Sequence, residues 1–203
     1  RSEVEALKSR HKVATVPQIF IDDTRIGGFD DLLEYFGKPK PPKHKTTYKP
    51  IIALFSIGLL LAISITWLQL DTIFNFKTIE WFISISMVLL GLQKLMDLER
   101  FTTMFLTYDL LAQRWVRYSY IYPFVEAGAG LLMIVGVLTW ISAPAAFFVA
   151  SVGVVSVFKA VYIEKRDLKC ACVGGDSNVP LGFVSLTENL MMVGMAIWMI
   201  ANI

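Results

Sequence analysis

Cys170 and Cys172 stand one residue apart in the run Lys169-Cys170-Ala171-Cys172-Val173-Gly174-Gly175. Cysteines at i and i+2 can reach the Cα separation of a disulfide, but the small ring they close is strained. A strained bridge is readily reduced, which suits thiol–disulfide exchange better than scaffolding. Lys169 and the nearby Arg166 favour the thiolate, the reactive form, and the glycines let the backbone bend. The same residues admit two other readings: a soft-metal site for an ion such as Cu(I), or two idle thiols in a reducing compartment. No second cysteine pair or histidine cluster completes a zinc site, because the two histidines, His11 and His44, lie far away near the amino terminus. No metal is assigned.

Ionisable residues inside otherwise apolar stretches form a second group. Glu126 falls within one such stretch, Glu188 and Asn189 within another, and Lys94 and Lys159 near the ends of two more. A carboxylate at membrane depth is costly unless paired, so it is a functional candidate by default. Glu126 and Glu188 are therefore read as an intramembrane polar layer, while Lys94 and Lys159 are expected to snorkel to the interface. Gly174–Gly182 reads as a loop opening the last span, with Asp176, Ser177 and Asn178 as capping types and Pro180 in the first turn. The small residues of Glu126–Gly136 mark close helix packing.

The elements that carry these residues follow from composition. Of 203 residues, 55% are hydrophobic and only 18% charged, against roughly 25% charged in a soluble domain. A spanning helix needs about 20 mostly apolar residues. Five candidates emerge, at residues 51–70, 79–96, 122–141, 144–163 and 181–203. Residues 97–120 place Phe101, Met104, Phe105, Tyr108, Leu111 and Trp115 on one face, which fits an amphipathic helix at the interface or an ordinary loop helix. Basic residues concentrate before the first span, between the second and third, and between the fourth and fifth. The positive-inside rule then puts the amino terminus and both cysteines in the cytosol and the carboxyl terminus outside. A net charge of +2, with no basic run interleaved with aromatics, excludes nucleic acid as a partner.

Residues 1–38 are soluble in character. An apolar helical pattern over residues 1–10 is followed by Val16-Pro17, a strand at 18–21, a turn at Asp22-Asp23, a strand at 24–26 and a helix over 29–36. Residues 39–50 are a Pro- and Lys-rich linker, extended and hydrated, and the membrane domain occupies 51–203. Thr15-Val16-Pro17-Gln18-Ile19-Phe20-Ile21 followed by Gly27-Gly28-Phe29-Asp30-Asp31-Leu32 resembles the second half of a glutaredoxin. The resemblance implies an α/β thioredoxin-like segment that binds glutathione through Thr15, Val16, Pro17, Gly28, Phe29, Asp30 and Asp31. Helix amino termini are natural anion sites, in keeping with that role. The family's catalytic CPxC would lie before Arg1, so the natural chain is expected to begin further upstream and this segment to be truncated.

The membrane part resembles the methylamine-utilisation MauE family, related to DoxX-type proteins. The matching stretches are Gly91-Leu92-Gln93-Lys94-Leu95 with Asp97 and Phe101, Pro123-Phe124-Val125-Glu126 with Gly128 and Gly130, and Asp167–Asn189. They cover residues 79–203 and leave the first span outside a minimal four-helix unit. The resemblance implies an all-α transmembrane bundle of the bacterial inner membrane, associated with maturation of the disulfide-rich methylamine dehydrogenase. Thiol–disulfide exchange or electron relay at the cytosolic face is the expected activity, with the lipid bilayer, glutathione and a thiol–disulfide partner protein as contacts. A non-catalytic assembly factor and a transporter of soft metals or small solutes are the alternatives.

Overall fold

The computed structural model describes residues 9, 19–22, 24–38, 48–73, 75–166, 168, 170 and 179–202. It divides into two compact units, Arg1–His44 and Lys45–Ile203.

In the amino-terminal unit, β1 (Ile19–Ile21) and β2 (Thr24–Gly27) form an antiparallel hairpin, with Phe20 opposite Arg25 and Ile21 opposite Thr24. Asp22 adopts a left-handed conformation at the turn, which aspartate tolerates better than most residues. A short helix, α1 (Phe29–Tyr35), follows. The Gly-Gly pair has a steric reason. Gly27 has φ +125°, and a Cβ there would run into the Asp31 carboxylate. That carboxylate turns back to accept the Gly28 N–H at 2.9 Å. A hairpin and one helix are the structure described here. The helical pattern over residues 1–10 falls outside the described residues apart from Ser9, which is helical.

Among the described residues, the second unit holds five helices long and apolar enough to cross a membrane. They are α2 (Lys49–Leu70), α3 (Phe76–Met96), α6 (Val116–Val135), α7 (Thr139–Phe158, continued by a π-turn over Lys159–Ile163) and α8 (Phe183–Ala201). The protein is an integral membrane protein. Two short helices, α4 (Leu98–Phe105) and α5 (Leu110–Arg114), lie between α3 and α6. The larger helix pairings are α3 with α6, α7 with α8, and α2 with α3.

The sequence-based boundaries move at all five spans, and the first and second begin slightly earlier than expected, at Lys49 and Phe76. The third span begins at Val116 and stops at Val135, about six residues earlier than expected, because Gly136 takes the left-handed conformation (φ +74°) and its N–H closes onto Leu132 O. The fourth span begins at Thr139 and carries Pro144 inside it. The last begins at Phe183, so Pro180 precedes the helix instead of entering its first turn, and Gly182 is the capping residue.

Residues 97–120 are not one amphipathic helix. Asp97 and Asp109 each cap a new helix start, Asp97 Oδ1 accepting from Arg100 N–H and Asp109 Oδ1 from Leu111 and Ala112 N–H at 3.0 and 2.8 Å. Phe101, Phe105 and Tyr108 point into the bundle and are buried, whereas Trp115 is exposed. Asp109 is fully buried, and burial raises its carboxyl above the ordinary range despite the two amide donors.

Candidate functional site

Close approach of α3 and α6 creates the site. A Cβ on Gly91 would lie 2.8–3.1 Å from Ala127, and one on Gly130 would lie 2.8 Å from the Ser84 carbonyl oxygen. Small residues at these crossings bring the two backbones nearly into contact, the usual basis of helix association in lipid. Lys94 sits one turn beyond Gly91, and Glu126 immediately precedes Ala127. Their side chains therefore meet between the helices.

Lys94 Nζ donates to both oxygens of Glu126, at 2.7 and 2.6 Å, and to Glu188 Oε1 from α8 at 3.1 Å. It also lies 5.2 Å from the centroid of the Tyr122 ring, within cation–π reach. The three side chains are 2%, 0% and 5% exposed. One ammonium faces two carboxylates, so with both carboxylates ionised the centre carries one uncompensated negative charge. A buried unpaired charge is strongly unfavourable. Neutrality is reached with one further proton or one further cation.

The expectation that Lys94 snorkels to the interface is overturned. Three short polar contacts hold its ammonium inside the bundle, and the aromatic rings of Phe101, Phe105 and Tyr108 line the same cavity. These rings and Tyr122 form a continuous aromatic wall, with Phe101–Phe105 and Phe105–Tyr122 centroids both 4.9 Å apart. Lys159, in contrast, is exposed, with Glu164 3.9 Å away.

A cavity of about 10 Å³ adjoins the ion-paired centre. Gly153 and Val157 of α7 and Ser185, Glu188 and Asn189 of α8 complete its wall. Two buried acceptors in this wall, Glu188 Oε2 and Asn189 Oδ1, have no hydrogen-bond partner. Asn189 uses its amide nitrogen to donate to Ser185 O at 2.7 Å.

Ser185 also connects this region to Cys170, whose Sγ lies 3.0 Å from the Ser185 Oγ. Backbone bonds from Cys170 N–H to Val179 O and from Leu181 N–H to Leu168 O fix the thiol at the foot of α8. Cys170 is fully buried, and Ile51 and Val179 share its apolar cluster. The expected help from Arg166 is redirected: its guanidinium donates to Thr107 O at 2.8 Å and pairs with Glu164 at 3.5 Å.

The structure thus brings Glu126 and Glu188 together and sets Cys170 beside a residue of the same cavity wall. Cys172 and Lys169 lie outside the described residues, as do Thr15, Val16 and Pro17. Gly28, Phe29 and Asp31 share the start of α1; Asp30 is in the same helix. No group of three or more potential metal-ligating side chains occurs among the described residues. Sequence reasoning missed Lys94 as the hub, although one cation and two carboxylates in otherwise apolar spans already suggested a neutralising set. It also missed the Asp109 cap, which the pattern of an aspartate just before an apolar helix could have shown.

The fold and this centre define a polytopic helical membrane protein with a buried ion-paired core. Residues 69–202 match the family model described as methylamine utilisation protein MauE, and the chain belongs to that family. The match begins at the end of α2 and takes in every later helix. No curated protein and no solved structure matches the chain.

Proposed function

We propose that this MauE-family protein serves methylamine utilisation as a membrane thiol–disulfide carrier, with Cys170 and Cys172 as its redox pair. The contact of Cys170 Sγ with Ser185 carries the reading, because Ser185 lines the cavity that Glu188 and Asn189 also line. The thiol thereby touches a residue that shares a cavity wall with the Glu188 carboxyl, a group able to hold a proton. In the reaction, one thiolate of the pair attacks a sulfur of a partner protein's disulfide and expels the other partner sulfur as thiolate. The second cysteine then attacks the mixed disulfide and releases the partner's first sulfur. Two electrons and two protons pass to the partner disulfide, which becomes a dithiol, while Cys170 and Cys172 become the disulfide. Thiol–disulfide exchange of this kind depends on the thiolate fraction and on access.

The amino-terminal unit belongs to the same proposal. Its Gly27-Gly28 turn and Asp31 cap support a glutaredoxin-like segment, with Thr15, Val16, Pro17, Gly28, Phe29, Asp30 and Asp31 as its glutathione contacts. Residues 1–38, 39–50 and 51–203 act as glutathione-handling segment, linker and membrane domain. The protein sits in the bacterial inner membrane with its amino terminus and cysteines in the cytosol. Arg100, Arg114 and Arg117, together with Lys159, Lys165 and Arg166, support that orientation.

The test is a redox titration of the purified protein in glutathione buffers, with thiols trapped by mass-shift alkylation. A single two-electron transition of the pair, lost in Cys170→Ser, is expected. If both thiols stay reduced throughout, or titrate independently as glutathione adducts, the carrier reading fails.

A further inference from the structure

We propose that the cavity beside Lys94, Glu188 and Asn189 is a binding site for one ammonium-sized monovalent cation. The proposal goes beyond the thiol-carrier reading and does not depend on it.

Four observations converge on that ligand. The first is size. A cavity of about 10 Å³ holds roughly one water-sized particle, and ammonium has the dimensions of water. The second is chemistry. The two buried groups without partners in the wall, Glu188 Oε2 and Asn189 Oδ1, are both acceptors and each belongs to a residue 5% exposed. They call for a donor.

The third is charge. Lys94 neutralises one of the two carboxylates and occupies only one oxygen of Glu188. With both carboxylates ionised, a further positive charge beside Oε2 completes the balance. The fourth is the rest of the wall. Phe101, Phe105, Tyr108 and Tyr122 present aromatic rings to the same space, and aromatic faces attract cations. A water molecule would satisfy the two acceptors but leave the charge of the ionised pair.

Metal ions fit less well. Magnesium requires a near-octahedral set of oxygen ligands, and two acceptors do not provide one. Sodium likewise lacks a shell of oxygen ligands here. Ammonium needs no such shell, since it can donate to the two acceptors and rest its remaining hydrogens on the rings.

The experiment follows thermal denaturation of the full chain in detergent while ammonium chloride replaces N-methylglucamine chloride at constant ionic strength. A ligand that binds only the folded state raises Tm with the logarithm of its concentration once that exceeds Kd, by about 5 °C or more at a hundredfold excess over Kd. That rise is expected with ammonium, should be much weaker with sodium or the larger methylammonium, and should vanish in Glu188→Gln. Gly153→Ala supplies a second variant that keeps all three ion-paired residues. A Cβ at Gly153 collides with the Asn189 amide and displaces Oδ1 from the cavity wall, so this variant should fold and lose the response. A Tm insensitive to ammonium, an equal response to sodium, or a response retained in Gly153→Ala would each overturn the site. An ammonium response in a Cys170→Ser protein would support the site, whatever the outcome for the redox pair.

Discussion

Helix α2 is the most apolar of the five spans, yet only 28% of its most apolar stretch is buried, against 50% in the markedly less apolar α3. Leu60 and Leu68 of α2 are 65% and 81% exposed. Beyond Ile51 and Leu54, α2 buries a stripe of small residues, Gly58, Ala62 and Thr66, facing α3 at Trp81, Ile85 and Ser86. Thr66 Oγ1 adds a hydrogen bond to Thr78 at 3.0 Å. Helix α3 buries Ser84, Ser86, Gly91 and Lys94 along with its apolar residues. Lipid tails are as apolar as leucine, so hydrophobicity brings a helix into the bilayer without bringing it to a neighbour. Small contact residues and polar groups that need partners select the neighbour. The family match reflects the same division, since it starts where α2 ends.

The comparison breaks most readily at Lys94. Lys94→Met leaves Glu126 and Glu188 buried together without a cation and should cost about 3–5 kcal/mol, a fall in Tm of roughly 10 °C measurable by thermal denaturation in detergent. Replacing all three, with Lys94→Met, Glu126→Leu and Glu188→Leu, should recover much of that stability, because apolar residues of similar volume often substitute for a buried ion pair. A triple variant that is stable and also fully active would deprive the polar centre of any function.

The next effect is steric. Gly130→Leu must push α6 away from the Ser84 carbonyl and should cost about 1–3 kcal/mol. Gly128, two residues earlier, has nothing within 4 Å of an added Cβ, so Gly128→Leu should be nearly silent. Equal effects at the two glycines would show that close approach of α3 and α6 does not hold the bundle together.

The smallest effect tests α2. Thr66→Val removes its hydrogen bond to Thr78 and should cost about 0.6 kcal/mol, the average for such bonds between membrane helices. Leu60→Ala, on the lipid side, should change stability by less than about 0.5 kcal/mol. A loss at Leu60 as large as that at Gly130 would sharpen the matter the other way, by showing that this face of α2 contacts protein in the membrane.

Composition and the spacing of apolar runs were enough to establish a membrane protein with five spans, because burying backbone polar groups in lipid leaves a helix almost no alternative. Glycine and proline marked most loop positions but misplaced the third span, whose end depends on one left-handed residue, Gly136. The residue types of the polar layer, Glu126 and Glu188, were also legible, since a carboxylate in an apolar span stands out against its neighbours. Their shared partner was not. Lys94 is 32 residues from Glu126 and 94 from Glu188, and a lysine at a helix end satisfies either a snorkelling or a buried role on sequence grounds alone. Only the packing of α3 against α6, set by Gly91 and Gly130, decides between them. The same holds for the aromatics of residues 101–108: their spacing announces a face, but whether that face meets lipid or protein depends on where the Asp97 and Asp109 caps turn the chain.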